Sequence, residues 1–142
     1  MLLVIDVGNT NTSLGVYRED ELLAHWRLTT NPSRTVDEYG VHARNLFELA
    51  HMDFKDIEAI AIASVVPPLN YTVKRMAEVY FHLTPLFIDH TTDTGLKQRS
   101  GNTGLQAVSC CLDLNRHQFP VGSQVEQLLA VAPPAGVAAS TR

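Results

Sequence analysis

Asp6-Val7-Gly8-Asn9-Thr10-Asn11-Thr12 follows directly on the apolar run Leu2-Leu3-Val4-Ile5. Five consecutive apolar or terminal positions with no alternation predict a strand buried on both faces. A carboxylate closes that strand, a glycine stands two residues later, and small amide and hydroxyl side chains lead into Ser13–Tyr17, the next predicted strand. Gly8 lets the backbone approach a ligand because it carries no Cβ. Asn9, Thr10, Asn11, Thr12 and Ser13 add side-chain donors to the backbone N–H groups, so a turn of this kind can cradle an anionic phosphate. Asp6 would repel a phosphate directly, so its natural task is to hold Mg²⁺, directly or through water. The loop is not of the Walker type: no Gly-Lys-Ser/Thr follows, and the next element is a strand. A plain hairpin turn would draw on the same residues, since Gly-Asn is a strong turn signal. At the level of pattern both readings stand.

Outward from this stretch, Arg18-Glu19-Asp20-Glu21 is a charged turn and Leu22–Thr29 a third strand, giving an antiparallel meander. Asn31-Pro32-Ser33 breaks it. Thr35 with Glu38 three residues on is a capping-box pattern, and Val36, Tyr39, Gly40, Ala43, Leu46, Phe47 and Ala50 recur at helical spacing. The near-continuous apolar run 57–66 predicts a fourth strand ended by Pro67-Pro68. A second helix is expected from about Leu69 to His82, with Leu69, Val73, Met76, Ala77 and Tyr80 on one side; the tyrosines at helical spacing are expected in the core. Pro85–Asp89 reads as a last short strand. The order β-β-β-α-β-α-β predicts an α/β fold with a mixed sheet of the ribonuclease H-like kind.

Composition narrows the function classes. Of 142 residues 45% are hydrophobic and 18% charged, with a formal net charge of -4. That is ordinary for a globular chain and argues against nucleic acid or an anionic membrane as partner. No apolar stretch approaches the length of a membrane span, and Met1–Val7 lacks the basic start and core length of a signal peptide, so a cytoplasmic location is expected. Cys110 and Cys111 are adjacent and read as reduced thiols. The six histidines are scattered; His90 between Asp89 and Asp93 reads as a solvated turn, and Trp26 as a residue packed on the sheet.

After Lys97 the chain changes character: five of the last 45 residues are charged, against 21 of the first 97. Residues 1–97 are therefore expected to form an N-terminal ATPase-type domain. Residues 98–142 are expected to be an irregular or disordered tail, divergent through truncation or a change of frame.

The motif set resembles the type III pantothenate kinase family, of the acetate and sugar kinase, Hsp70 and actin superfamily. The resemblance rests on Asp6–Thr12, Trp26-Arg27-Leu28, Ala63-Ser64-Val65-Val66-Pro67 and Thr94-Gly95-Leu96-Lys97, which run in the family's order across the first 97 residues. It implies ATP-dependent phosphorylation of pantothenate, the first step of coenzyme A synthesis. It also implies Mg²⁺, a monovalent cation (K⁺ or NH₄⁺) and a homodimer. Asp6, Val7, Gly8, Asn9, Thr10, Asn11, Thr12 and Ser13 would be the ATP-phosphate loop, with Asp6 toward the metal, and Ser64–Pro67 would be structural. The family continues with a Gly-Ala-Asp-Arg motif, whose aspartate is the expected general base, and an Asp-x-Gly-Thr-Ala-Thr-Thr motif. Here the corresponding stretch from Gln98 to Cys110 contains neither, and Asp113 is the sole acidic residue near the place. Loss of a positioned base costs about 10²–10⁴-fold in rate, so impaired turnover is expected. The alternative is a non-catalytic nucleotide-binding or accessory protein of the same fold.

Overall fold

The computed structural model describes residues 1–19 and 21–88. Strands β1 (Leu2–Val7), β2 (Asn11–Arg18) and β3 (Glu21–Thr29) precede helix α1 (Val36–Leu49). A 3₁₀ turn (Phe54–Asp56), β4 (Ala59–Ser64), helix α2 (Pro67–Met76), a π-helical turn (Ala77–Phe81) and β5 (Leu86–Ile88) follow. The five strands form one mixed, ribonuclease H-like sheet in the order β3-β2-β1-β4-β5. The meander β1-β2-β3 is antiparallel, whereas β1, β4 and β5 run parallel.

β1 occupies the centre, and its apolar side chains are at most 1% exposed. Its continuous apolar run is explained by that place: one set of side chains faces the helices and the alternate set faces the other side. Leu3, Ile5 and Val7 join Leu14, Val16, Ile60 and Ile62 under both helices. Leu2 and Val4 lie with Tyr17, Ala59, Ala61, Ala63 and Ile88 on the opposite face, to which neither helix contributes a buried residue.

The capping box forms as the sequence predicts. Thr35 accepts from the Glu38 N–H, and the Glu38 carboxylate accepts from the Thr35 N–H. Tyr39, Gly40, Ala43 and Phe47 then point into the core. Phe47 anchors an aromatic cluster: Trp26 lies 5.5 Å from it, Phe54 4.8 Å and Phe81 5.6 Å, ring centre to ring centre. Trp26 is thus a packing residue of the helix-covered face.

Several boundaries differ from the sequence expectation: β2 starts at Asn11 rather than Ser13, and β4 starts at Ala59 rather than at residue 57, after the 3₁₀ turn. β4 stops at Ser64 because the Ser64 hydroxyl accepts the Val66 N–H at 3.1 Å and turns the chain. α2 begins at Pro67, not Leu69, because a proline fits the first helical turn, where its missing N–H would have no partner. The regular helix ends at Met76, and the remainder widens into the π-helical turn before His82 takes a left-handed conformation. Tyr71, expected in the core, is 71% exposed: it falls on the side of α2 away from Leu69, Val73 and Met76. Residues 94–97, the tail from residue 98, Cys110, Cys111, His90, His117, Asp89, Asp93 and Asp113 lie outside the described residues.

Gly40 explains how α1 meets the π-helical turn. A Cβ there would overlap the Tyr80 ring, whose hydroxyl donates to Asp37 at 2.8 Å. Gly40→Ala is expected to lower stability in urea unfolding by about 1–3 kcal/mol through overpacking. The sign is diagnostic, because an unhindered helix glycine replaced by alanine gains about 0.5–1 kcal/mol. In a Tyr80→Ala background the same substitution should turn neutral or favourable.

Candidate functional site

Alternation along β1 decides which way its last two side chains go. Asp6 pairs across the sheet with Ser13 and Ala63, while Val7 pairs with Thr12 and Ser64. Val7 is fully buried on the helix side, so Asp6, half-buried, lies on the other face. The cross-sheet row through Asp6 is Arg27–Ser13–Asp6–Ala63–Ile88. It runs from an exposed cation through a hydroxyl and a carboxylate to two apolar residues.

Gly8, Asn9 and Thr10 join β1 to β2. The Gly8 N–H donates to the Asn11 carbonyl at 3.0 Å, which closes the hairpin. A Cβ on Gly8 would stand 2.9 Å from that same backbone oxygen, so the turn cannot hold this shape with any other residue. Asn9, Thr10 and Asn11 are exposed. Thr12 and Ser13 are buried, Thr12 at 1% exposure. Of the loop residues singled out by sequence, Asp6, Gly8, Asn9, Thr10 and Asn11 therefore border solvent, while Val7, Thr12 and Ser13 support them.

Thr30, one residue past β3, completes the turn from behind. Its N–H donates to the Thr10 carbonyl at 2.9 Å and its hydroxyl to the Gly8 carbonyl at 2.7 Å; the Thr12 hydroxyl is 2.9 Å away. Sequence reasoning missed this residue. The sequence expectation began the second strand at Ser13, whereas β2 starts at Asn11 and pairs with Thr29, and that register sets residue 30 beside residue 10.

The parallel strands bring a second segment to the same edge. Val7 and Ser64 are level, and the Val65 N–H donates to the Val7 carbonyl at 3.0 Å. Helix α2 starts there, yet it offers few amide donors. Pro67 and Pro68 have no N–H, and the Leu69 N–H is bonded to Val66 at 2.9 Å. Among the described residues, the Gly8–Asn11 turn rather than the α2 N-terminus offers backbone donors at this edge, in contrast to sites built on a helix N-terminus.

Among the described residues no group of three His, Cys, Asp or Glu side chains could enclose a metal ion. Among the described residues Asp6 is the carboxylate of this edge, and one carboxylate fits Mg²⁺, which keeps several waters and takes one or two carboxylates together with substrate phosphates. On the Asp6 face, burial and then the positive Arg27 hold the His25 imidazole below its ordinary value. His25 is therefore neutral at pH 7, and Arg27 is the cation of that row. His42, His51 and His82 are exposed.

The family profile described as type III pantothenate kinase matches residues 2–104. A type III pantothenate kinase from Halalkalibacterium halodurans is 49% identical over 102 residues, which is 72% of this chain and 40% of that protein. One from Koribacter versatilis is 50% identical over 68% of this chain and 39% of its own length. The chain thus spans about two-fifths of the length of these curated relatives. Among solved structures, a ROK hexokinase from Thermus thermophilus superposes with a TM-score of 0.47 at 16% identity, covering 61% of this chain and 34% of that one. No helix of the described residues is long and apolar enough to cross a membrane.

The charge arrangement on the Asp6 face can be read by titration. The His25 pKa, followed by NMR, should lie below 6.5. Arg27→Ala should raise it only part of the way, because burial is the larger cause. The unfolded chain titrates near 6.5, so stability due to neutral His25 is complete above that pH and is lost as pH falls toward the folded value. His25→Gln should remove that slope from the pH dependence of unfolding.

Proposed function

The chain belongs to the type III pantothenate kinase family, and on that premise we propose that residues 6–13 are its ATP-phosphate loop. The reaction proposed is ATP-dependent phosphorylation of pantothenate to 4'-phosphopantothenate. The observation that supports it best is the Gly8–Asn11 turn: a tight, exposed turn, held from behind, beside a carboxylate at the end of the central strand. In this reading the N–H groups and side chains of Asn9, Thr10 and Asn11 bind phosphate oxygens. Gly8 permits the close approach. Asp6 would hold Mg²⁺ through its carboxylate or through water, and the bound ion would offset the charge that develops on the transferring phosphoryl group. Thr12, Ser13 and Val7 act by holding the turn. Arg27, on the Asp6 side of the sheet, adds positive potential toward the polyphosphate.

The same premise carries a monovalent cation (K⁺ or NH₄⁺), a homodimer and a cytoplasmic location, with neither nucleic acid nor membrane as partner. Within these 142 residues no Gly-Ala-Asp-Arg supplies a general base. We therefore propose that the 142-residue chain turns over poorly. The second reading is a nucleotide-binding or accessory protein of the same fold without turnover.

Calorimetry with ATP, with and without Mg²⁺, together with pantothenate-dependent ADP release in K⁺ buffer, separates these cases. Mg²⁺-dependent ATP binding is expected, and Asp6→Asn should weaken it by about 10–100-fold, the worth of one charge-assisted contact. Pantothenate-dependent turnover that vanishes in Asp6→Asn supports the kinase. Binding with no turnover supports the accessory reading. ATP binding that ignores both Mg²⁺ and Asp6 would sink the phosphate-loop assignment.

A further inference from the structure

The hydrogen bonds behind the turn have a direction fixed by how many protons each group carries. A threonine hydroxyl carries a single proton. Thr30 donates that proton to the Gly8 carbonyl at 2.7 Å. Toward Thr12, 2.9 Å away, Thr30 Oγ1 can then only accept, so Thr12 is the donor. The result is a one-way chain, Thr12 O–H to Thr30 O–H to Gly8 C=O, in which each bond polarises the next. Both hydroxyls are buried, at 1% exposure for Thr12 and 8% for Thr30, so water does not compete for them.

This chain sets the orientation of one peptide group. The Gly8 carbonyl is drawn toward Thr30, which shares the helix-side face with Thr12 and Leu28. In a planar trans peptide the N–H points opposite to the C=O, and every described peptide bond is trans. The Asn9 N–H must therefore point away from Thr30, toward the side on which Asp6 lies. It has no hydrogen-bond partner among the described residues. The Thr30 N–H fixes the other end of the turn at Thr10.

We infer that Thr30 is a positioning residue of the phosphate loop: its hydroxyl, driven by Thr12, holds the Gly8–Asn9 peptide so that the Asn9 N–H faces the phosphate. This rests on the phosphate-loop reading above. Without the hydroxyl, the Gly8–Asn9 peptide can turn over and present a carbonyl oxygen to the anion. Thr30 touches no ligand itself; it acts through Gly8.

The test compares Thr30→Ser, which keeps the hydroxyl, with Thr30→Val and Thr30→Ala, which lose it in two different shapes. Using both protects the result against a folding failure in either one. Two readouts are taken on the full 142-residue chain: Mg²⁺·ATP affinity by calorimetry, and the Asn9 amide signal by NMR without ligand. Thr30→Ser should bind like the wild type. Thr30→Val and Thr30→Ala should bind about tenfold more weakly, the worth of one well-made hydrogen bond and the donor it orients. Their Asn9 amide should shift or broaden while core methyl signals stay in place. Wild-type affinity in a folded variant without the hydroxyl overturns the Thr30 inference and leaves the phosphate loop standing. If the wild type itself fails to bind Mg²⁺·ATP, the phosphate-loop reading falls and takes the inference with it. The amide signal then still reports whether Thr30 orders the turn.

Discussion

Everything at the candidate site hangs on the burial of β1. It is bonded on one side to antiparallel β2 and on the other to parallel β4, and it is apolar toward both faces. Each fully buried Leu, Ile or Val contributes about 1.5–3 kcal/mol, so five such residues hold the register against any local preference of the turn. A slip of one residue would send Asp6 to the helix side and Val7 to the opposite face. The carboxylate would then sit among Leu14, Ile62 and the helices, where an unpaired charge is not tolerated. The hydrophobic strand is thus what aims the polar residue.

The turn that follows closes as a hairpin and still keeps exposed polar residues on its outer side. The Gly8 N–H and the Asn11 carbonyl close the hairpin, Thr30 secures the Gly8 and Thr10 carbonyls, and the exposed residues keep their donors on the outside. Backbone groups facing inward make the fold, and those facing outward remain for a ligand. The prolines that open α2 sharpen the division. They remove the N–H groups that a helix start would otherwise offer at this edge, which leaves the turn as its main source of backbone donors.

Much of this was legible in the sequence because it depends on near neighbours. The capping box at Thr35 and Glu38, the apolar run of β1 and the helical spacing of Tyr39, Ala43 and Phe47 are local patterns, and each appears where expected. What escaped depends on contacts between distant segments. Thr30 carries no local signal, lying between the expected third strand and the Asn31-Pro32-Ser33 break; its role exists only because the meander sets it against residues 8–12. Gly40 looked like an ordinary place on the apolar stripe, but it is the space occupied by the Tyr80 ring, forty residues away. Tyr71 is exposed because its angle around α2, and not its side-chain type, decides which side it faces. The Pro67-Pro68 boundary was misread for a related reason: proline ends a strand and can also begin a helix, and sequence alone does not say where between those events the chain turns.

The two faces of the sheet have diverged in chemistry. The helix side is bulky and aromatic, with Trp26, Phe47, Phe54 and Phe81 in mutual contact. The other side is floored by Ala59, Ala61 and Ala63 between Leu2, Val4 and Ile88, small and apolar on the strand next to β1. Its polar groups gather toward β2 and β3: Asp6, Ser13, His25 and Arg27. An apolar floor beside a short charged row keeps the local dielectric low, so each charge there acts more strongly than it would in open water. Burial keeps His25 neutral and leaves Asp6 and Arg27, two strands apart, as an acidic and a basic point on the same row. A cation-bearing polyphosphate has that same alternation of charge. Among the described residues both helices pack on the bulky face, and the row of Asp6, Ser13 and Arg27 lies on the other.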